Sequence, residues 1–130
     1  MSDAVLVAVA WPYANAEIHV GNLTGSYLPA DIFARYNRLR GRRVIMVSGS
    51  DAHGTPITVR ADAEGSTALE VYERFHAGFI DLFQQLGLTY DLFTSTHTAN
   101  HFQVSQAIFM ALHENGYLYT DRQFQWYSLS

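Results

Sequence analysis

The chain contains no cysteine and no lysine; all eight of its basic side chains are arginine. Without a thiol, these residues hold no disulfide framework, no thiolate nucleophile and no Cys-type zinc site, although the redox compartment stays open. Without lysine they hold no P-loop lysine, no Schiff-base lysine and no lysine-bearing phosphate loop. Positive charge is scarce as well. A net charge of -4 over 130 residues argues against binding nucleic acid with a whole face, because such binding rests on clustered cations neutralising phosphates, so any RNA contact is local. The longest apolar opening run, Ala4 to Trp11, falls far below a bilayer span, and Met1-Ser-Asp-Ala lacks the basic region of a signal peptide. The expectation is a cytoplasmic protein without a membrane partner.

What is present is enough for one domain with a real core, at 48% hydrophobic content. Ala4-Val-Leu-Val-Ala-Val-Ala10 is short, Val-rich and continuously apolar, which predicts a strand buried on both faces at the centre of a parallel sheet. Pro12 ends it, Tyr13 to His19 reads as a loop, and a helical pattern runs from Gly21 to Arg40, with Leu28, Ile32, Tyr36 and Leu39 on one face. Pro29 inside that pattern predicts either a kink or a helix that begins there. Gly41 is a natural stop.

A second buried strand follows at Val44–Ser48, then a helix capped by Thr55 with Pro56 at its first position, ending near Gly65. Thr67-Ala-Leu-Glu70 is a capping box that opens a helix to Leu86, stopped by Gly87, with Phe75, Phe79 and Phe83 as core. Asp91–Ser95 reads as a third strand, Thr98 as the cap of a helix to about Asn115, and Tyr117–Tyr127 as two strands around Asp121-Arg122. Strand, helix, strand, helices, strand, helix implies right-handed crossovers and an α/β, doubly wound parallel sheet, with ligands at the carboxyl ends of the strands.

Two motifs fall at those ends. Trp11-Pro-Tyr-Ala-Asn-Ala-Glu-Ile-His-Val-Gly-Asn22 and Gly49-Ser-Asp-Ala-His-Gly-Thr-Pro-Ile57 each carry a His near a Gly after an apolar run. At the start of a helix, His19, Gly21 and Asn22 meet free N–H groups and a positive dipole end, a setting for phosphate, where an imidazole donates to an oxygen gaining charge and a glycine admits close approach. Asp51 can hold a cation across the crevice, or simply close an Asx turn. The arginines at 35, 38, 40, 42 and 43 read as helix-dipole complement and solvated surface rather than an RNA patch. His76, His97, His101 and His113 show no metal-ligand spacing; His97 and His101 lack a third ligand and straddle a helix start.

With these residues in view, the chain resembles the amino-terminal part of the catalytic domain of the methionyl-tRNA synthetases, class I aminoacyl-tRNA synthetases. His19-Val-Gly-Asn22 is similar to the family's His-Ile-Gly-His, Ala10-Trp-Pro-Tyr-Ala-Asn15 to its Pro-Tyr-Ala-Asn approach, and Gly49–Ile57 to its second strand-end motif; Ser95-Thr-His-Thr98 and Asn115-Gly-Tyr-Leu118 also resemble it. The resemblance implies a Rossmann-like fold of which residues 1–116 are the amino-terminal half and 117–130 the start of a connective insertion opening as a β-hairpin. It implies ATP-dependent activation of methionine and transfer to tRNA, with Mg2+ arriving on ATP. His19 and Asn22 would be catalytic, His19, Gly21, Asn22 and His53 would bind ATP, and Trp11, Tyr13 and Asp51 would bind methionine.

Asn22 stands where the family has a second His; it donates to phosphate but cannot become cationic. The family's lysine loop cannot lie in this chain, and its zinc site is expected only in a downstream insertion. The expected partners are therefore the other half of the enzyme, or a second copy through an exposed sheet edge. A small nucleotidyltransferase of the related His-x-Gly-His superfamily and a noncatalytic nucleotide-binding chain are the alternatives.

Overall fold

The computed structural model describes residues 4–124 and residue 126. The chain divides into two compact units, one up to His97 and one from Thr98 onward. The first contains β1 (Ala4–Ala8), α1 (Val20–Asn22), a π-helical turn (Leu23–Tyr27), α2 (Leu28–Leu39), β2 (Arg43–Ser50), α3 (Thr55–Glu64), α4 (Ala68–Gln85) and β3 (Leu92–Ser95); the second contains α5 (Ala99–Glu114). The three strands form one parallel sheet in the order β1-β2-β3, with Leu6 opposite Ile45 and Gly49 opposite Thr94.

The sheet is covered unevenly. Val7, Val9, Met46 and Ser48 are buried, whereas Leu6 is 68% exposed and its register partner Ile45 is 48% exposed. This corrects the expectation of a central first strand buried on both faces. Among the described residues β1 is an edge strand, and its continuous apolar run supplies one core row and one exposed row.

Pro29 is accommodated in a specific way. The turn before it widens so that the Leu28 N–H reaches the Leu23 carbonyl, and α2 then begins with the proline in its first turn, where no N–H is needed. The face that α2 buries differs from the apolar stripe in the sequence: Asp31, Ala34 and Asn37 are buried, while Ile32, Tyr36 and Leu39 lie exposed. The reason is hydrogen bonding. Asp31 Oδ1 accepts the Thr89 N–H at 2.7 Å and the Thr89 hydroxyl at 2.5 Å, and Asn37 donates to the Phe33 carbonyl at 2.8 Å while accepting from Arg42 at 2.7 Å.

Arg35 and Arg38 tie the same helix to the segment that leads into β3. Arg35 reaches Asp31 at 2.6 Å and also the Gly87 carbonyl; Arg38 reaches Thr89 at 2.6 Å and Asp91 at 2.8 Å. Arg35 and Arg38 are thus structural ties between elements, a role beyond the dipole complement and solvated surface expected of them. Phe79 and Phe83 fill the core beneath, with the Phe83 ring centroid 5.0 Å from Tyr27 and 5.3 Å from Phe93.

The capping box at Thr67 and Glu70 forms, Thr98 caps α5 by accepting from the His101 N–H, and the glycines at 41, 65, 87 and 116 take the left-handed conformation past the helix ends. Two local expectations are corrected. Gly54, not Thr55, is the cap position of α3, because Thr55 already has helical backbone. The strands around Asp121-Arg122 are not formed by residues 117–124, while Gln125 and Tyr127 lie outside the described residues. A two-stranded ribbon without a third strand or a covering helix is marginal in water.

Asp31 generates a stability prediction. Burial alone would raise its carboxyl, but the hydrogen bonds from Thr89 and Arg35 together outweigh it and hold it below the ordinary value near 3.8. Its contribution is therefore fully present above that ordinary value and is lost as pH falls through the lower folded value. Asp31→Ala should cost about 2–3 kcal/mol in urea unfolding at neutral pH, with a smaller difference from wild type in acid. An unchanged urea midpoint would contradict this.

Candidate active site

Past the end of β1 the chain stays beside β2. The Val9 N–H donates to the Val47 carbonyl at 2.9 Å, the Asp51 N–H to the Pro12 carbonyl at 2.8 Å and the Ala14 N–H to the Asp51 carbonyl at 3.0 Å, so Tyr13 and Asp51 form a parallel bridge beyond the named strands. Pro12 has no N–H, and here only its carbonyl is used. The buried Ser48 hydroxyl, 3.2 Å from the Val9 carbonyl and 3.3 Å from that of Ala10, steadies the same stretch.

Two glycines shape this end of the sheet, Gly49 by space and Gly54 by its backbone conformation. A Cβ on Gly49 would lie 2.7 Å from the Thr94 carbonyl oxygen and 2.8 Å from Trp11 Cζ3, so only glycine lets the indole lie against β2 at this point. Gly54, at φ 130°, would place a Cβ 3.5 Å from the Tyr13 ring. Trp11 and Tyr13 remain 39% and 50% exposed, side chains anchored at one edge and open at the other.

Asp51 Oδ1 accepts the His53 N–H at 3.3 Å, which is the Asx turn, and lies 3.3 Å from the Thr96 hydroxyl. Both bonds go to one oxygen. The turn reading of Asp51 is thus correct locally, and it leaves Oδ2 without a hydrogen bond from the described residues. His53 sits beside His97, with ring centroids 5.4 Å apart, and the His97 ring lies 5.2 Å from that of Tyr72. These three line a hollow of about 90 Å³ with Ala52, Ala68 and Leu69. Behind it, His76 Nδ1 meets the fully buried Ser50 hydroxyl at 2.7 Å, and burial lowers the His76 pKa.

His19, Gly21 and Asn22 form a second group. His19 Nδ1 accepts the Asn22 N–H at 3.3 Å, and Asn22 Oδ1 accepts the His19 N–H at 3.2 Å, a reciprocal cap on the start of α1. A backbone N–H always donates, so in this arrangement Nδ1 carries the lone pair and the neutral ring has its proton on Nε2. Gly21 makes that possible: a Cβ there would lie 2.9 Å from His19 Cε1. The space above this glycine is taken by the imidazole.

The site residues read from the sequence therefore fall into a strand-end group (Trp11, Tyr13, Asp51, His53) and a helix-start group (His19, Gly21, Asn22), joined by residues 14–18 of the same loop. A cavity of about 720 Å³ includes neither group. It is bordered by Ala16, Glu17 and Ile18 together with Arg60, Glu64, Arg74 and Phe75. Sequence reasoning missed Thr96 as a neighbour of Asp51, and His97 and Tyr72 as neighbours in the hollow beside His53. The signal was available for Thr96, which follows the third strand as Asp51 follows the second. Among the described residues no group of three or more His, Asp, Glu or Cys is placed to hold a metal ion.

A parallel α/β sheet with its polar groups collected past the strand ends is the architecture of a Rossmann-like nucleotide-binding domain. More particularly, the chain belongs to the family described as tRNA synthetases class I (M), whose profile matches residues 5–130. It is 58% identical over 127 residues to the methionine–tRNA ligase of Thermomicrobium roseum and 59% identical over 128 residues to that of a Roseiflexus species; each match covers 98% of this chain and 22% of the relative. A solved structure of Mycobacterium tuberculosis methionyl-tRNA synthetase in complex with methionyl-adenylate superposes with a TM-score of 0.81 at 28% identity, covering 89% of this chain and 22% of that one. The chain thus spans about a fifth of the length of the curated relatives it matches.

Gly21→Ala tests the helix-start geometry. Imidazole nitrogen shifts of wild type near pH 8 should report the Nε2–H tautomer of His19, and the alanine variant should move toward a tautomer mixture as the ring leaves the Asn22 N–H. Identical shifts in the two proteins would contradict the cap.

Proposed function

We propose that this chain supplies the methionine- and ATP-facing wall of a methionine–tRNA ligase. In the first step the methionine carboxylate attacks the α-phosphorus of ATP, forming methionyl-adenylate and releasing pyrophosphate. In the second, a hydroxyl of the terminal tRNA ribose takes the methionyl group and AMP leaves. Such chemistry asks the protein mainly to position the reactants and to stabilise charge on phosphate oxygens.

On this reading the carboxylate of Asp51 holds the methionine ammonium, with Trp11 and Tyr13 beside the substrate. His19 donates from Nε2 to phosphate, the Asn22 amide adds a neutral donor, Gly21 keeps the imidazole seated, and His53 lies toward the nucleotide. The observation that carries the reading is the Tyr13–Asp51 bridge. It fixes an open aromatic ring beside a carboxylate whose second oxygen takes no hydrogen bond from the described residues, the pairing an amino acid with an apolar side chain and an ammonium group calls for. Mg2+ enters with ATP, as part of the substrate. The residues present do not fit a zinc site, having no cysteine and no clustered ligand set among the described residues.

The test is methionine-dependent exchange of pyrophosphate into ATP, measured on the polypeptide that carries this sequence. His19→Ala should lower exchange by about 100-fold, the scale of losing one transition-state donor. Asp51→Ala should act chiefly on the KM for methionine. Exchange that survives both changes in folded protein would overturn the reading.

For partners, the proposal includes tRNA as acceptor, in the cytoplasm, and association through the β1 edge, open among the described residues, where Leu6 and its register partner Ile45 on β2 are exposed. Sedimentation of the 130-residue chain should show concentration-dependent association that Leu6→Asp weakens. A monomer at every concentration would count against this use of the edge.

A further inference from the structure

We propose that Thr96 is the positioning residue for the Asp51 carboxylate, so that the third strand contributes to ammonium recognition through a side chain that does not touch the substrate. The inference rests on the reading of Asp51 as the ammonium-binding group and adds to it the device that holds this group in place.

Thr96 engages each of its polar donors and its hydroxyl oxygen. Its N–H donates to the Ser50 carbonyl at 3.0 Å, continuing the β2–β3 ladder one residue past Ser95. Its Oγ1 accepts the Ala52 N–H at 2.7 Å, a short and firm bond. An oxygen that is already accepting a backbone N–H has its own proton to give, and Asp51 Oδ1, at 3.3 Å, is the acceptor beside it. The residues on both sides of Asp51 are thus tied to Thr96, and so is the carboxylate between them.

The carboxylate needs this. An aspartate at the end of a strand has two rotatable bonds, and among the described residues its other hydrogen bond, from the His53 N–H, has the same 3.3 Å length and goes to the same oxygen, so neither holds the carboxylate alone. Two donors on Oδ1 fix the plane of the carboxylate and leave Oδ2 for an incoming cation. Preorganising a charged group in this way lowers the cost of ordering it when substrate binds. Ser would supply the same hydroxyl; Val would match the shape and supply none.

The experiment uses the polypeptide that carries this sequence, as wild type, Thr96→Val and Thr96→Ser, with two readouts. The first needs no ligand: Hα–Hβ couplings of Asp51 should report one side-chain rotamer in wild type and Thr96→Ser, and averaging in Thr96→Val. The second is affinity for methionine against its deamino analogue, 4-(methylthio)butanoate. Thr96→Val should weaken methionine by about tenfold and leave the analogue within about twofold, while Thr96→Ser restores methionine binding; tenfold corresponds to about 1.4 kcal/mol.

Equal losses for both ligands, or Asp51 couplings that do not change in Thr96→Val, would overturn the inference and leave Thr96 as a strand-end cap only. If wild type fails to bind methionine while the couplings respond as stated, the ligase reading falls and the carboxylate-holding role of Thr96 stands.

Discussion

The pairing of Asp51 with Pro12 and Ala14 is the constraint on which the rest of the site depends. Two backbone hydrogen bonds, at 2.8 and 3.0 Å, extend the β1–β2 pairing beyond the strands proper. They place Tyr13 beside the carboxylate and set the direction in which the loop leaves toward His19. Backbone pairing is indifferent to side chains, so Tyr13 and Asp51 are free to be chosen for chemistry. Gly49 then removes the atom that would block the Trp11 ring.

That pairing has a counterpart at the opposite end of the sheet. Asp91 donates its N–H to the Met46 carbonyl at 2.9 Å and accepts the Met46 N–H on Oδ2 at 2.7 Å, while Arg38 holds the same carboxylate. This fixes β3 against β2 in the register that pairs Ser50 with Ser95, and Thr96 therefore arrives beside Ala52 and Asp51. A polar network under α2 thus controls where a side chain at the far end of the strand lies. Asp31 belongs to that network, and with Asn37, which is bonded instead to Phe33 and Arg42, it explains why the apolar stripe of α2 is left outside.

Much of this was legible in the sequence because the relevant signals are local. The capping box at Thr67, the glycine stops, the Val-rich strands and the Phe75-Phe79-Phe83 spacing each act over a few residues, and each appears where the pattern puts it. The sequence misled where tertiary hydrogen bonding outweighed hydrophobic pattern, as at Ile32, Tyr36 and Leu39, and where an apolar run could serve an edge as well as a centre, as at Leu6. Trp11, Tyr13, Asp51 and His53 could be proposed for the site because they lie in motifs at strand ends. Thr96 follows a strand end too, but its contact with Asp51 depends on the β2–β3 register, which the sequence does not display. The capping role of His19 Nδ1 could not be read either, since a motif names a residue and not the atom it commits.

If the proposed function holds, the strand-end group and the helix-start group bind two parts of one ligand. Backbone and side-chain chemical-shift mapping of the chain with a non-hydrolysable methionyl-adenylate analogue decides this. Coupled changes are expected at the Trp11 indole, Tyr13, Asp51 and Thr96 and also at His19 and Asn22, saturating at one ligand concentration. Changes confined to the large cavity around Arg60, Arg74 and Phe75, with both groups silent, would contradict it.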